Sequence, residues 1–499
     1  MSDEAWSSSS NEALFVSLVA PSADGSIKTL SKFHPKFTYP IFGESEEIFG
    51  YKDLTINLLY NASDMRPNLS VTYKKKFTAV GDTEATDINA TLAEFLPEVA
   101  FQKKKEFETA IHNVRADWTP PGELLNTFTA KGQTFEVWKG NLADPAVKQL
   151  VNRIQILVPL FIEGGSEIST DEADSDRWTV FFLYQKKTST ADPSRFEYVF
   201  AGYTTVYRFF FFQSPPTPPA SPSAQALESL VLGKNDFDLS TLPCRSRISQ
   251  YLIIPTFQGR SLGPKLYSLI YAYYLTHPST AELTVEDPNE AFDDMRDVAD
   301  LIYLRTVPEF NALSINTSVK IPKSGKAPDN IVDPAAWEAV RRKTKIAPRQ
   351  FARVLEMNLM QKLPYSVRPD IDVPENEDEE GGEEDAEPSY SKKEKAPGTK
   401  EEEHEYQLWR LLLKKRLYKH NRDALSQLEI PERIEKLEDT VSSVEFDYVR
   451  LVAKADDQAK RLQEISDDDA AAKSNGKRKV DEVGDAESPA SKKAKVSTD

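Results

Sequence analysis

Two short stretches carry residue types that could do chemistry together. One is Gln258-Gly259-Arg260-Ser261-Leu262-Gly263-Pro264, and the other is Glu286-Asp287-Pro288-Asn289. The first joins a strand to a helix. Arg247 to Ile254 is β-branched and apolar enough to lie inside a sheet. After the loop, Leu266, Leu269, Ile270, Tyr273 and Tyr274 repeat at helical spacing. Pro264 stands where that helix begins, and the first turn does not need the N–H it lacks. Free N–H groups and the helix dipole converge at such a start, which suits an anion. The second stretch follows a strand over Ala281 to Val285 and sets a carboxylate pair at its end, where a proton acceptor would be wanted. Together they read as a phosphate-bearing cofactor beside a base. The plain alternative for Glu286-Asp287 is a strand-end turn closed by Pro288.

The elements that must position these groups come just before them. Trp178 to Gln185 (WTVFFLYQ) and Phe196 to Phe212 are two strong strands joined by polar residues, hence a hairpin. Gln213 to Ala226 carries five prolines and cannot pair in a sheet, so it reads as an insertion extending into solvent. The expected sheet is an antiparallel meander that meets a βαβ-like crossover. Upstream, FHPKFTYPIFG, GYKDLTINLLYNA and LSVTYKKKF have a β pattern, and Pro145 to Ile162 has one broad helical apolar face. The polar, acidic Gly164 to Asp176 looks like a boundary.

At 499 residues the chain is too long for one core. A net charge of −17 argues against general nucleic-acid binding and suits a basic partner, such as a Lys-rich protein tail. One cysteine, Cys244, excludes an internal disulfide framework and suits a reducing compartment. Nothing marks it as an activated nucleophile. None of the five histidines forms a ligand-spaced pair, so no metal is expected. The serine-rich, acidic N-terminus is no signal peptide, and no apolar run reaches the ~18 residues of a spanning helix.

Downstream the chain turns helical, through PAAWEAVRRKTK and PRQFARVLEMNLMQKL. Asp372 to Glu387 holds ten acidic residues out of sixteen and is disordered by composition, as is the lysine-rich Ser391 to Lys400. Glu405 to Leu425 and Pro431 to Ile465 are long charged helices that could form an antiparallel hairpin. Lys477-Arg478-Lys479 and Lys492 to Val496 suit a bipartite nuclear import signal. The expected organisation is a flexible 1–24, an α+β domain over 25–170, and the cofactor domain over 171–320 with its insert at 213–226. A helical region over 321–371, a linker over 372–402, long helices over 403–466 and a tail over 467–499 follow.

The wording of QYLIIPTFQGRSLGPKLYSLIYAYY followed by LTVEDPNEAFDDMRD resembles the B-type histone acetyltransferases, within the GCN5-related (GNAT) N-acetyltransferase superfamily. The likeness extends to FHPKFTYPIFG, FGYKDL, DRWTVFFLYQ and GYTTVYRF, over roughly residues 25 to 470. It implies an α+β fold of GNAT type: a mixed, mainly antiparallel central sheet with flanking helices, an N-terminal α+β domain and a C-terminal helical region.

The same resemblance implies acetyl-CoA as cosubstrate and transfer to lysines of newly made histone H4 tails in chromatin assembly. It also implies a WD-repeat propeller chaperone as partner and residence in nucleus and cytoplasm. Tyr251, Leu252 and Ile253 match the strand that pairs with the pantetheine arm. Gln258, Gly259, Arg260, Ser261, Leu262, Gly263 and Pro264 match the pyrophosphate loop, and Asn289 a further cofactor contact. Glu286 matches the general base, with Asp287 beside it as assistant. Trp178 and Tyr207 resemble aromatic positions flanking the substrate lysine, and Glu44, Ser45 and Glu46 the loop that meets the tail. One residue departs from the superfamily pattern, because Ser261 stands where a glycine is usual. A positive φ there would cost stability or cofactor affinity. Two other classes stay open: a non-catalytic acyl-CoA-binding scaffold, and an acidic histone chaperone that uses 372–387.

Overall fold

The computed structural model describes residues 6–22, 24–115, 117–170, 172–188, 196–210, 242–322, 325–372, 391–392 and 395–481. The chain divides into two compact units, Met1–Arg296 with Arg341–Pro348, and Asp297–Val340 with Arg349–Asp499. The proline-rich 213–226, the acidic 373–387 and the basic cluster at 492–496 lie outside the described residues.

Besides two short two-stranded ribbons, the first unit contains two larger sheets among the described residues. Strands β1 (Leu14–Pro21), β2 (Ile27–Phe33), β3 (Thr55–Asn61) and β4 (Pro67–Thr72) form the smaller, in the order β2-β1-β3-β4. β1 is central. Leu14, Val16, Leu18 and Val19 are buried, and the strand pairs antiparallel with β2 and parallel with β3. The expectation of a flexible 1–24 is therefore corrected for Leu14–Pro21. The polar start conceals a run, LFVSLVAP, whose apolar residues supply much of this sheet's core.

The larger sheet comprises β5 (Glu123–Ala130), β6 (Gln133–Asn141), β7 (Trp178–Thr188), β8 (Phe196–Phe210), β9 (Cys244–Ile253) and β10 (Thr280–Val285), in the order β10-β9-β8-β7-β6-β5. Only β9 and β10 pair parallel, so the sheet is mixed and mainly antiparallel, as a GNAT-type α+β fold requires. It begins at Glu123, well before the boundary expected at 170. The β5–β6 hairpin reads weakly because its polar outer strand buries little. Pro145 to Ile162 is two helices, α1 (Pro145–Ile154) and α2 (Leu157–Phe161). Pro159 cannot donate to a carbonyl four residues back, so a new first turn accommodates it.

Behind the sheet, α3 (Leu262–Thr276) runs from the loop to β10, burying Leu266, Tyr267, Ile270, Tyr271 and Tyr274. α4 (Glu290–Leu304) follows β10.

The second unit is helical, with α5 (Pro348–Lys362), α6 (Lys400–His420) and α7 (Ile430–Asp481) as its main elements. Buried Glu356 on α5 accepts from Arg416 Nε at 2.9 Å and from Tyr448 Oη at 2.8 Å, which ties the three helices together. Tyr406 pairs with Glu445 and Arg410 with Glu438, so α6 and α7 run antiparallel. Thr399 and Glu402 form a capping box that starts α6 inside the segment expected to be disordered. Just before it, Ser391–Lys392 pairs with Ile371–Asp372.

Candidate functional site

β9 and β10 run together only as far as Ile248 and Val285, with Glu286 N–H closing onto Ile248 O at 2.8 Å. β10 then ends, while β9 continues to Ile253. Gln250 N–H bonds to Thr205 Oγ1 and Ile254 N–H to Ala201 O, both toward β8. By strand alternation, the N–H groups of Tyr251 and Ile253 face the edge that β10 has left. That edge is a slot able to take an extended ligand by backbone pairing. Gly202 sits opposite Ile253, and a Cβ there would meet Leu252 O at 2.4 Å. Any side chain at 202 would push β9 out of the slot's wall.

The slot leads to the Gln258–Pro264 loop. α3 starts at Leu262, so Pro264 falls in the first turn and its missing N–H costs no helical bond. The N–H groups of Leu262 and Gly263 precede every intrahelical acceptor, which fits an anion's oxygens. Tyr251 Oη donates to Gly263 O at 2.6 Å, tying slot to helix start, and burial pushes its phenol far up. Gln258 Nε2 donates to Ile253 O at 2.8 Å. Ser261 is left-handed, at φ 59°, and its side chain caps nothing. The departure from glycine thus has a cost, of about 1–2 kcal/mol for a non-glycine residue in this region, enough to weaken the loop and too little to abolish it.

On the other side of the slot, sheet register aligns Trp178 with Tyr207, Tyr207 with Arg247 and Arg247 with Thr284. Trp178 and Tyr207 touch at 4.8 Å between ring centroids. Tyr207 Oη donates to Asp174 at 2.6 Å and accepts from Arg177 at 3.1 Å; burial and then Asp174 push its phenol up. The Arg247 guanidinium lies over Phe209 at 4.3 Å and reaches Glu286 Oε1 at 3.2 Å, while Ser249 Oγ donates to Oε2 at 2.6 Å. Asp287 has φ 32°, a strained value for a residue with a side chain.

Trp178, Tyr207, Phe209, Asp174, Ser249, Glu286 and Asp287 line one cavity of about 570 Å³. Trp178, Tyr207 and Phe209 supply aromatic surface, and Glu163, Glu167, Glu172, Asp174, Glu286 and Asp287 supply carboxylates. No Lys or Arg appears among its described lining residues. Burial raises the Glu167 carboxyl above its ordinary value. The polar, acidic Gly164 to Asp176, which reads in the sequence as a boundary, therefore supplies a wall of the cavity through its residues 164–169, Glu172 and Asp174. Gln250 Nε2 holds it to β9 through Ser166 O at 2.8 Å.

The fold brings four expected residues, Trp178, Tyr207, Glu286 and Asp287, into this cavity. Two other expectations land elsewhere. Asn289 Oδ1 accepts from Phe292 N–H at 2.9 Å and so starts α4. The Glu46 carboxylate accepts from Thr38 N–H at 2.7 Å, Tyr39 N–H at 3.0 Å and Asn11 Nδ2 at 2.7 Å. Glu44 and Ser45 are exposed beside it, outside the described cavity lining.

The family model described as histone acetyl transferase HAT1 N-terminus matches residues 6–163, and that of fungal HAT1, C-terminal, matches 297–364. A Neurospora crassa histone acetyltransferase type B catalytic subunit is 56% identical, covering 99% of this chain and 98% of its own. The chain belongs to the family of histone acetyltransferase type B catalytic subunits. Relatives of the same description from Pyricularia oryzae, at 50% identity, and Gibberella zeae, at 45%, each cover 98% of both chains. The family's likeness thus runs through both units and through the acidic cavity between β7 and β10.

Proposed function

We propose that this enzyme, a protein-lysine acetyltransferase by family, transfers acetyl from acetyl-CoA to lysines of newly made histone H4 tails during chromatin assembly. The observation that carries this reading is the cavity, whose six carboxylates and three aromatic rings meet the open edge of β9. Acetyl-CoA supplies the activated acetyl group, with its phosphates at the start of α3 and its arm along Tyr251 to Ile253. The chain's residues do the rest. A lysine with a free pKa near ~10.4 must lose a proton before it can attack. Glu286, held by Arg247 and Ser249, accepts that proton through a water, with Asp287 beside it. The Tyr251 and Ile253 N–H groups are directed to the edge where negative charge builds on the reacting carbonyl oxygen. Trp178, Tyr207 and Phe209 enclose the lysine's methylenes, while the acidic wall attracts the flanking basic residues.

A WD-repeat propeller chaperone and the histone itself are the proposed partners, and nucleus and cytoplasm the proposed locations. The nuclear part of that reading draws on Lys477-Arg478-Lys479 and Lys492 to Val496. Transfer of labelled acetyl to an H4 tail peptide, wild type against Glu286→Gln, tests the base. Equal rates would remove Glu286 from that role.

A further inference from the structure

The loop at the start of α3 is held from outside by residues that lie far away in sequence. β5 and β6 are joined by a two-residue turn, Lys131 at φ 45° and Gly132 at φ 71°, with Ala130 paired to Gln133. Two consecutive left-handed residues twist in the sense of the flanking strands, so this hairpin tip is well defined. It reaches the loop at three levels. Phe135 on β6 packs edge-on against Phe257 at 6.2 Å. Gln133 Oε1 accepts from Arg260 Nη1 at 3.1 Å. Lys131 Nζ donates to Gly259 O at 3.0 Å.

Gly259 and Arg260 are the two residues that precede Ser261, which is left-handed without a glycine's freedom and without a side-chain cap. Released from its neighbours, Ser261 would relax toward negative φ, and the N–H groups of Leu262 and Gly263 would turn with it. Something must hold the strained form before a ligand arrives, because a residue in this region persists only where its surroundings over-determine it.

We propose that the β5–β6 turn is a clamp that preorganises the Gln258–Gly263 loop, with Lys131 as its positioning residue. This rests on reading that loop as the acetyl-CoA phosphate site. The clamp explains how the chain accommodates a serine at this position. The hairpin offsets what the serine costs, so cofactor affinity depends on a residue that need not touch the cofactor.

Calorimetric titration of the full chain with coenzyme A tests this, alongside steady-state kinetics. Lys131 is exposed, so Lys131→Met should fold normally. It should raise the Kd for coenzyme A and the KM for acetyl-CoA about three- to tenfold, as loss of one solvent-exposed hydrogen bond implies. The kcat with both substrates saturating, and the KM for the tail peptide, should not change. Lys131→Arg, which keeps the donor, should stay within about twofold of wild type. In a Ser261→Gly background, where no strain needs holding, Lys131→Met should have less than about a twofold effect.

An equal effect in both backgrounds would mean that Lys131 acts on the phosphates directly, which overturns the clamp. No effect of Lys131→Met, with Gly263→Val still weakening coenzyme A binding, would overturn the clamp and leave the loop reading standing. If Gly263→Val leaves coenzyme A binding unchanged, the loop reading fails and the clamp fails with it.

Discussion

The Ser249 hydroxyl donates to Glu286 Oε2 at 2.6 Å, from a strand that has just parted from Glu286's own. With Arg247 on Oε1, it fixes where the carboxylate points at the mouth of the slot. Glu286→Gln should lower kcat by about 10²–10⁴-fold, the usual contribution of a positioned base, with the KM for acetyl-CoA little changed. Ser249→Ala removes one hydrogen bond worth about 1 kcal/mol and should lower kcat roughly fivefold. A kcat left unchanged in Glu286→Gln would contradict the assignment.

Trp178 and Tyr207 are aligned by register and in contact, so each holds the other's ring against the cavity. Trp178→Ala removes one wall, an aromatic pairing worth about 0.5–1.5 kcal/mol, and the ring's contact with the lysine stem. The KM for the tail peptide should rise about tenfold. Acetyl-CoA affinity, measured by calorimetry, should stay at the wild-type value. A parallel loss of acetyl-CoA affinity would place Trp178 with the cofactor.

The acidic wall should act at a distance. Glu167→Gln with Glu172→Gln leaves the shape of the cavity and removes two charges. The peptide KM should rise about three- to tenfold at low salt, through weaker steering of a basic tail. The gap between variant and wild type should close near 1 M salt, where the screening length is only about 3 Å. A gap independent of salt would mean that these side chains make direct, desolvated contacts.

The parts of the site legible in the sequence were those whose signals are local. The Gln258–Pro264 loop lies between a strand pattern and a helix pattern, and Glu286 ends the next strand. Trp178 and Tyr207 stand on two strong strands of one hairpin, but only the family resemblance singled them out. The acidic wall was not legible, because its position depends on Gln250 reaching Ser166, 84 residues away. Ser261 stands out against the superfamily pattern the chain resembles, but its φ and the hairpin that opposes its relaxation needed coordinates. In the fold, β1 was hidden by the serines before it, and β5 by its polar outer face.

Within the Glu44–Glu46 loop, Glu46 has a structural role that the exposed Glu44 and Ser45 do not share. Glu46 is itself left-handed, at φ 51°, and its carboxylate serves Thr38, Tyr39 and Asn11 at the start of the short helix Tyr39–Phe42. Those bonds, the Thr38 N–H first among them, hold its carboxyl below the usual range. A depressed folded pKa means that the unfolded chain binds the proton more readily. The stability it contributes is present above the unfolded value near ~4.3 and is lost as pH falls through the folded value. Glu46→Ala should therefore cost about 1 kcal/mol at pH 7, read as a lower Tm for the first unit. That difference should shrink on acidification, and the KM for the tail peptide should not move. Glu44 is exposed, and Glu44→Ala should do the reverse, raising the peptide KM two- to threefold with Tm unchanged if the loop meets the tail. A rise in peptide KM confined to Glu46→Ala would put the tail contact on Glu46.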